Sequence, residues 1–191
     1  MSTTPQRVHY IAGASGVGTS TNARELQQEW SSDPEARPVC VIATDVVRAQ
    51  LRAVVERDAH PDLWGESFNL PAREGDAVRD GVAIDAFLRQ CAPILRAVEA
   101  GVDYALTEGW DVIVEGVHLV PNLVELATGD DLDVTFELIV VPDADEHVAR
   151  FRSRDITSNG RRPAPHYEAN LERIRAVQDE LVARWQALEE A

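Results

Sequence analysis

Residues 7–21 read Arg-Val-His-Tyr-Ile-Ala-Gly-Ala-Ser-Gly-Val-Gly-Thr-Ser-Thr. The run 7–12 (RVHYIA) reads as a first strand. Residues 13–18 hold three glycines, and a helix pattern runs from 20 to about 30. Strand, glycine-rich turn and helix in that order match the Walker A spacing, in which Gly, four residues and a second Gly precede Lys and Ser or Thr. Here Gly13 and Gly18 bracket Ala14, Ser15, Gly16 and Val17, and Ser20 takes the hydroxyl position. The Lys position holds Thr19, with Thr21 next. Glycines let consecutive backbone N–H groups curl toward phosphate oxygens, and the helix N-terminus adds partial positive charge at the same point. The stretch from Gly13 to Thr21 is therefore the predicted phosphate cradle, with the Ser20 hydroxyl as a Mg²⁺ ligand.

Working outward, residues 38–43 (PVCVIA), 111–115 (DVIVE) and 134–141 (VTFELIVV) read as three further strands, short, apolar and separated by helical patterns. Such strands belong in a parallel sheet covered on both faces, an α/β fold. Helices are predicted over 45–57, over a section marked by Ile84, Phe87, Leu88, Cys91, Ile94, Leu95, Val98 and Val102 at spacings of three and four, and over 143–154, where Asp143 and Glu146 make a capping-box-like start. The last helix carries Leu171, Ile174, Val177, Leu181, Trp185 and Leu188. Residues 58–75 and 155–165 read as breaker-rich loops. With no repeat and no linker long enough to divide it, residues 1–191 read as a single domain.

The chain has 33 acidic residues, 18 basic ones and a net charge of −15. That charge argues against nucleic-acid and anionic-membrane binding, where phosphate contacts supply most of the affinity. No apolar run reaches the roughly 20 residues of a membrane span. Cys40 and Cys91 read as buried free thiols. These features predict a cytoplasmic protein. The oligomeric state stays open, a homodimer included.

Every basic residue is Arg, with no Lys anywhere. Bound phosphates must then be balanced by Arg and Mg²⁺ alone, which requires arginines to cluster. Arg150, Arg152, Arg154, Arg161 and Arg162 do so, with Asp155 the only acid among them. Residues 150–165 read as an Arg-rich lid in which Arg154, Arg161 and Arg162 stabilise a transferring phosphoryl group. A solvated helix end followed by a basic turn is the alternative.

Asp45 follows the second strand, with Arg48 and Arg52 at i+3 and i+7 on one helical face. Strand ends line the crevice of open parallel sheets. Asp45 is thus a candidate base for an acceptor hydroxyl, with Arg48 and Arg52 gripping acidic groups of that acceptor. The competing reading is a helix cap at Thr44 or Asp45 with an ion pair to Arg48. Glu115 ends the third strand, where a carboxylate can sit near Mg²⁺, and Gly116 is read as admitting a ligand close to the backbone. His118 has two readings, a substrate contact and a satisfied structural group.

The segments IAGASGVGTST, TDVVRAQLR, VIVEGVHLVP and RRPAPHYEANLERIRAVQDEL together resemble the archaeal-type 2-phosphoglycerate kinase family, in order and over nearly the whole chain. Some members of that family also carry Gly-Thr-Ser at the Thr19 position. The resemblance implies a P-loop nucleotide-kinase sheet of about five strands with the first central; four are readable, and the fifth has no place. It also implies ATP, Mg²⁺ and transfer to a small anionic metabolite, 2-phosphoglycerate giving 2,3-bisphosphoglycerate. Residues 58–75, with Ser67-Phe68-Asn69, depart from the family pattern. Two rival readings remain: a P-loop kinase for another hydroxylated metabolite of natural-product or sugar-acid type, and a nucleotide-binding regulator without turnover, motivated by the missing Lys.

Overall fold

A computed structural model describes residues 4–190. The chain runs β1 (Gln6–Ala12), α1 (Thr19–Trp30), β2 (Val39–Ala43), α2 (Thr44–Val54), a 3-10 turn (Pro61–Trp64), a hairpin of β3 (Val78–Arg79) and β4 (Val82–Ala83), α3 (Ile84–Thr107), β5 (Asp111–Gly116), β6 (Leu132–Leu138), α4 (Ala144–Thr157), α5 (Ala164–Glu168) and α6 (Leu171–Glu189). The main sheet is parallel, in the order β2-β5-β1-β6. This is the α/β class expected. Among the described residues the sheet has four strands rather than about five, with β1 in an inner position. The remaining strand pairing is the separate antiparallel hairpin.

Side chains of β1 alternate between the two faces, as strand geometry requires. Ile11 and Ile113 pack with Ala23, Leu26 and Trp30 of α1. Val8, Tyr10, Ala12, Val112 and Val114 join the larger core on the other side, with Ile94, Val98 and Val102 of α3 and Ile174, Val177 and Leu181 of α6. Helices on both faces explain why β5 is apolar without alternation. Truncating Ile113, fully buried, to Ala would cost about 2–5 kcal/mol. The stripe on α6 ends at Trp185, which stacks on Phe136 at 5.2 Å; Leu188 is exposed. Gln178 ties α6 to the strand end by bonding both the N–H and the carbonyl of Val141.

Two loop expectations change, and a hairpin forms at residues 78–83, where none was expected. The hairpin turns on Asp80 and Gly81, both at positive φ, the conformation a two-residue type I′ hairpin turn demands. Residues 58–75 are no free loop: Leu63, Phe68 and Leu70 are buried in the core. The Asp62, Leu63 and Gly65 carbonyls accept bonds from Gln90, Arg52 and Arg48. The predicted 155–165 loop shrinks to a turn, because α4 continues to Thr157 and α5 begins at Ala164. The start of α4 is as read, with Asp143 accepting a bond from the Glu146 N–H at 2.8 Å. Cys40 and Cys91 are free thiols. No helix among the described residues is long and apolar enough to cross a membrane.

Candidate functional site

The four parallel strands deliver their C-terminal ends to one edge, where open α/β sheets bind ligands. There Gly13, Ala14, Ser15, Gly16, Thr19 and Ser20 line a cavity of about 150 Å³ with Thr44, Asp45, Glu115, Gly116, Val117, Arg154 and Arg162. That volume suits phosphate groups rather than a whole nucleotide, since ligand pockets run to roughly 300–1,000 Å³. Val17 points into the core, Gly18 precedes α1 at φ 110°, and Thr21 is exposed on α1.

The glycine loop is braced from behind. A Cβ on Gly16 would lie 2.2 Å from the Phe151 ring, so the loop and α4 pack without space for a side chain. His147 is fully buried, and its Nε2 lies 2.9 Å from the Ser15 carbonyl. A carbonyl only accepts, so Nε2 carries the proton; burial also lowers the pKa of this ring and favours the neutral form. Arg150 donates to the Val17 carbonyl and pairs with Glu146 at 2.7 Å. His147, Arg150, Phe151 and Arg154 thus form one face of α4 against the phosphate loop. Only Arg150 and Arg154 were singled out from sequence, and as cations rather than braces. The spacing of three and four was the readable signal.

Glu115 takes hydrogen bonds from Thr19 Oγ at 2.8 Å and Ser20 Oγ at 3.0 Å. Burial raises its pKa, and the two hydroxyl donors pull it back. In the Lys position, Thr19 therefore spends its hydroxyl on this carboxylate. Ser20 and Glu115 are hard oxygen donors side by side, the donor type Mg²⁺ takes together with substrate phosphates.

Asp45 lies in the first turn of α2, but Ala43 occupies the cap position and no side chain caps the helix. Asp45 is half exposed and pairs with Arg48 at 3.3 Å. The cap reading is corrected. Arg48 bridges Asp45 and the Gly65 carbonyl, at 3.0 Å from the latter. Arg52 does not reach the cavity: its guanidinium is tied to the Leu63 and Gly65 carbonyls.

His118 also lies away from the cavity. It is fully buried, with Nδ1 2.9 Å from Thr44 Oγ and Nε2 3.2 Å from Gln90 Oε1. The Gln90 amide nitrogen donates to the Asp62 and Gly65 carbonyls, so Oε1 must face the ring and His118 Nε2 donates to it. Nδ1 then accepts from Thr44. Burial pushes the ring pKa down to about 4. Of its two readings the structural one holds. Gly116, at φ 136°, lines the cavity and also makes room for Thr44: a Cβ there would meet Thr44 Oγ at 2.0 Å.

The lid arginines separate into three kinds. Arg150 and Arg152 pair with Glu146 and Glu168. Arg161 is exposed and absent from the cavity wall. Arg154 and Arg162 line it. Arg154 lies over the Tyr167 ring at 4.2 Å, and Arg162 donates to the Tyr167 hydroxyl at 3.5 Å.

No family model matches the chain. It is 34% identical over 172 residues to a 2-phosphoglycerate kinase of Methanopyrus kandleri, covering 90% of this chain and 51% of that protein. It is 34% identical over 176 residues to one of Methanocaldococcus jannaschii, covering 90% and 53%. One of Methanothermobacter thermautotrophicus is 31% identical over 174 residues, covering 87% and 53%. The chain spans about half the length of the curated relatives it matches. Along nine-tenths of its length this chain is thus similar to about half of a 2-phosphoglycerate kinase.

Proposed function

We propose that this chain is an ATP-dependent kinase that phosphorylates the hydroxyl of a small anionic acceptor, 2-phosphoglycerate giving 2,3-bisphosphoglycerate. The observation that carries the reading is the convergence of the glycine loop, the Ser20–Glu115 pair, Asp45, Arg154 and Arg162 on one phosphate-sized cavity. The names of the relatives support the choice of acceptor.

Backbone N–H groups of 13–19 and the α1 N-terminus hold the nucleotide phosphates. Ser20 and Glu115 would hold Mg²⁺, which supplies charge neutralisation at the transferring phosphoryl group. The acceptor hydroxyl oxygen bonds to the γ-phosphorus while the bond from that phosphorus to the bridging oxygen breaks, releasing ADP. Asp45 orients the hydroxyl and takes its proton. Arg48 holds Asp45 in place and meets the acidic groups of the acceptor. Arg154 and Arg162 supply the countercharge that Lys gives elsewhere. Residues 1–191 act as one kinase unit with 150–165 as its lid. Reduced Cys40 and Cys91 and the use of ATP suit the cytoplasm.

The test is ADP formation by purified protein with Mg²⁺·ATP and, separately, 2-phosphoglycerate, 3-phosphoglycerate and glycerate. Turnover that depends on 2-phosphoglycerate supports the reading. Turnover only with another hydroxyl acceptor transfers it to a different metabolite, and ATP binding without turnover makes the chain a nucleotide-binding regulator.

A further inference from the structure

In a chain with 33 carboxylates and 18 arginines, an arginine without an acidic neighbour needs a reason. Among the described residues no carboxylate reaches Arg154 or Arg162 at salt-bridge distance, and Asp45 and Glu115 act on them only from across the cavity, whereas Arg150 and Arg152 of the same segment are paired. Arg154 Nε and Nη2 are buried with no hydrogen bond at all. Both free cations converge on one side chain. The Tyr167 ring lies 4.2 Å beneath the Arg154 guanidinium, and its hydroxyl accepts from Arg162. Tyr167 is itself buried and held on two sides, by the Phe151 ring at 5.4 Å and the Phe68 ring at 6.3 Å. Phe151 packs on the phosphate loop at Gly16. Phe68 belongs to the segment that Arg48, Arg52 and Gln90 fasten to α2 and α3.

We propose that Tyr167 is the positioning residue that presents Arg154 and Arg162 to the transferring phosphoryl group, an aromatic ring and a phenol standing where a carboxylate would otherwise hold them. This rests on the kinase reading of the same cavity. The physical advantage is competition. A carboxylate that fixed these arginines would occupy their N–H groups and oppose an incoming phosphate, whereas a π face attracts the cation without accepting its in-plane donors. The clamp of Phe151 and Phe68 also ties the arginines to the phosphate loop on one side and to the segment beside Asp45 on the other. The cations are therefore held at fixed places before any ligand arrives, which is what preorganised charge stabilisation requires.

The test is a double-mutant cycle. Tyr167→Leu should lower kcat about 10²-fold, the scale of an ångström-sized misplacement, with a much smaller change in KM for ATP. The same substitution in an Arg154→Ala background should cost little more, because the group through which it acts is gone. Tyr167→Phe keeps the ring and removes the hydroxyl, so it should restore most of the activity. Its residual loss should vanish beside Arg162→Ala. Additive losses in both cycles would show that Tyr167 only stabilises the fold and would overturn the proposal. Should Tyr167→Leu fail to fold, the Tyr167→Phe cycle with Arg162→Ala decides alone. Should the parent transfer no phosphate, the kinase reading fails separately, and the cycle is read by calorimetric binding of inorganic pyrophosphate. Tyr167→Leu should then weaken pyrophosphate roughly tenfold in the parent background and not beside Arg154→Ala; equal weakening in both refutes the proposal.

Discussion

His118 supplies a prediction whose size follows from its surroundings. Its ring titrates at about 4 in the folded chain against an ordinary 6.5, chiefly because it is buried; Arg48 and Arg52 push the same way and Asp45 opposes them. A base whose folded pKa is depressed contributes stability that is present above pH 6.5 and lost as the pH falls toward 4. The full difference corresponds to about 3 kcal/mol, of which about 2 kcal/mol is gone by about pH 5. Protonation would also set an N–H at Nδ1 against Thr44 and end the bond that Thr44 donates. In His118→Gln, one hydrogen bond of the Thr44–His118–Gln90 chain is lost at every pH, at a cost of about 1–3 kcal/mol. The pH-dependent loss disappears. Urea unfolding of parent and variant at about pH 8 and about pH 5 isolates the effect. The parent should lose about 2 kcal/mol more than the variant between the two conditions. Equal losses in both proteins would refute the assignment of a neutral, buried ring that fixes Thr44 beside the cavity.

Further outcomes follow from the cavity. Asp45→Asn should melt like the parent, since its exposed pair with Arg48 contributes about 0–1 kcal/mol, while kcat falls by about 10²–10⁴; full activity would remove Asp45 from the chemistry. Arg154→Ala and Arg162→Ala should each lower kcat by about 10³, and Arg161→Ala should leave it near the parent value, so a large loss at Arg161 alone would contradict the geometry. Glu115 has a raised pKa, so its ionised form lowers stability as the pH rises through the folded value. Glu115→Gln should therefore melt no lower than the parent at neutral pH without ligand, and should lose the additional stabilisation that Mg²⁺ gives to the ATP complex; thermal melts with ATP alone and with Mg²⁺·ATP check both.

What the sequence showed and what it hid divide by distance along the chain. The phosphate loop was readable because its glycines answer local backbone demands, at φ 92° for Gly16 and 110° for Gly18. β5 was readable because burial on both faces makes its centre apolar, whereas β6 at the sheet edge alternates apolar and polar residues. The hairpin at Asp80-Gly81 had a local signal too, passed over because its strands are only two residues long. Other features depend on contacts that no local pattern carries. Arg52 shares a helix face with Asp45, yet its donors are used by the Leu63 carbonyl. Gly116 lines the cavity, and the sequence does not show that its missing side chain also makes room for Thr44, far earlier in the chain. Arg161 and Arg162 are adjacent, but Ser158 Oγ fixes the Arg162 N–H and the Tyr167 hydroxyl takes its side chain. Tyr167 stood within a segment quoted for resemblance alone, since an aromatic residue in a polar turn announces no partner.

The kinase reading is tested most directly by following the γ-phosphate itself. Stoichiometric protein, Mg²⁺ and ATP labelled in the γ-phosphate are mixed with 2-phosphoglycerate and quenched within one turnover. The label should appear on the 3-hydroxyl of the acceptor, as 2,3-bisphosphoglycerate, in step with ADP, and not in the Asp45→Asn protein on the same time scale. Label released as inorganic phosphate regardless of acceptor, or label left in ATP, would contradict the account.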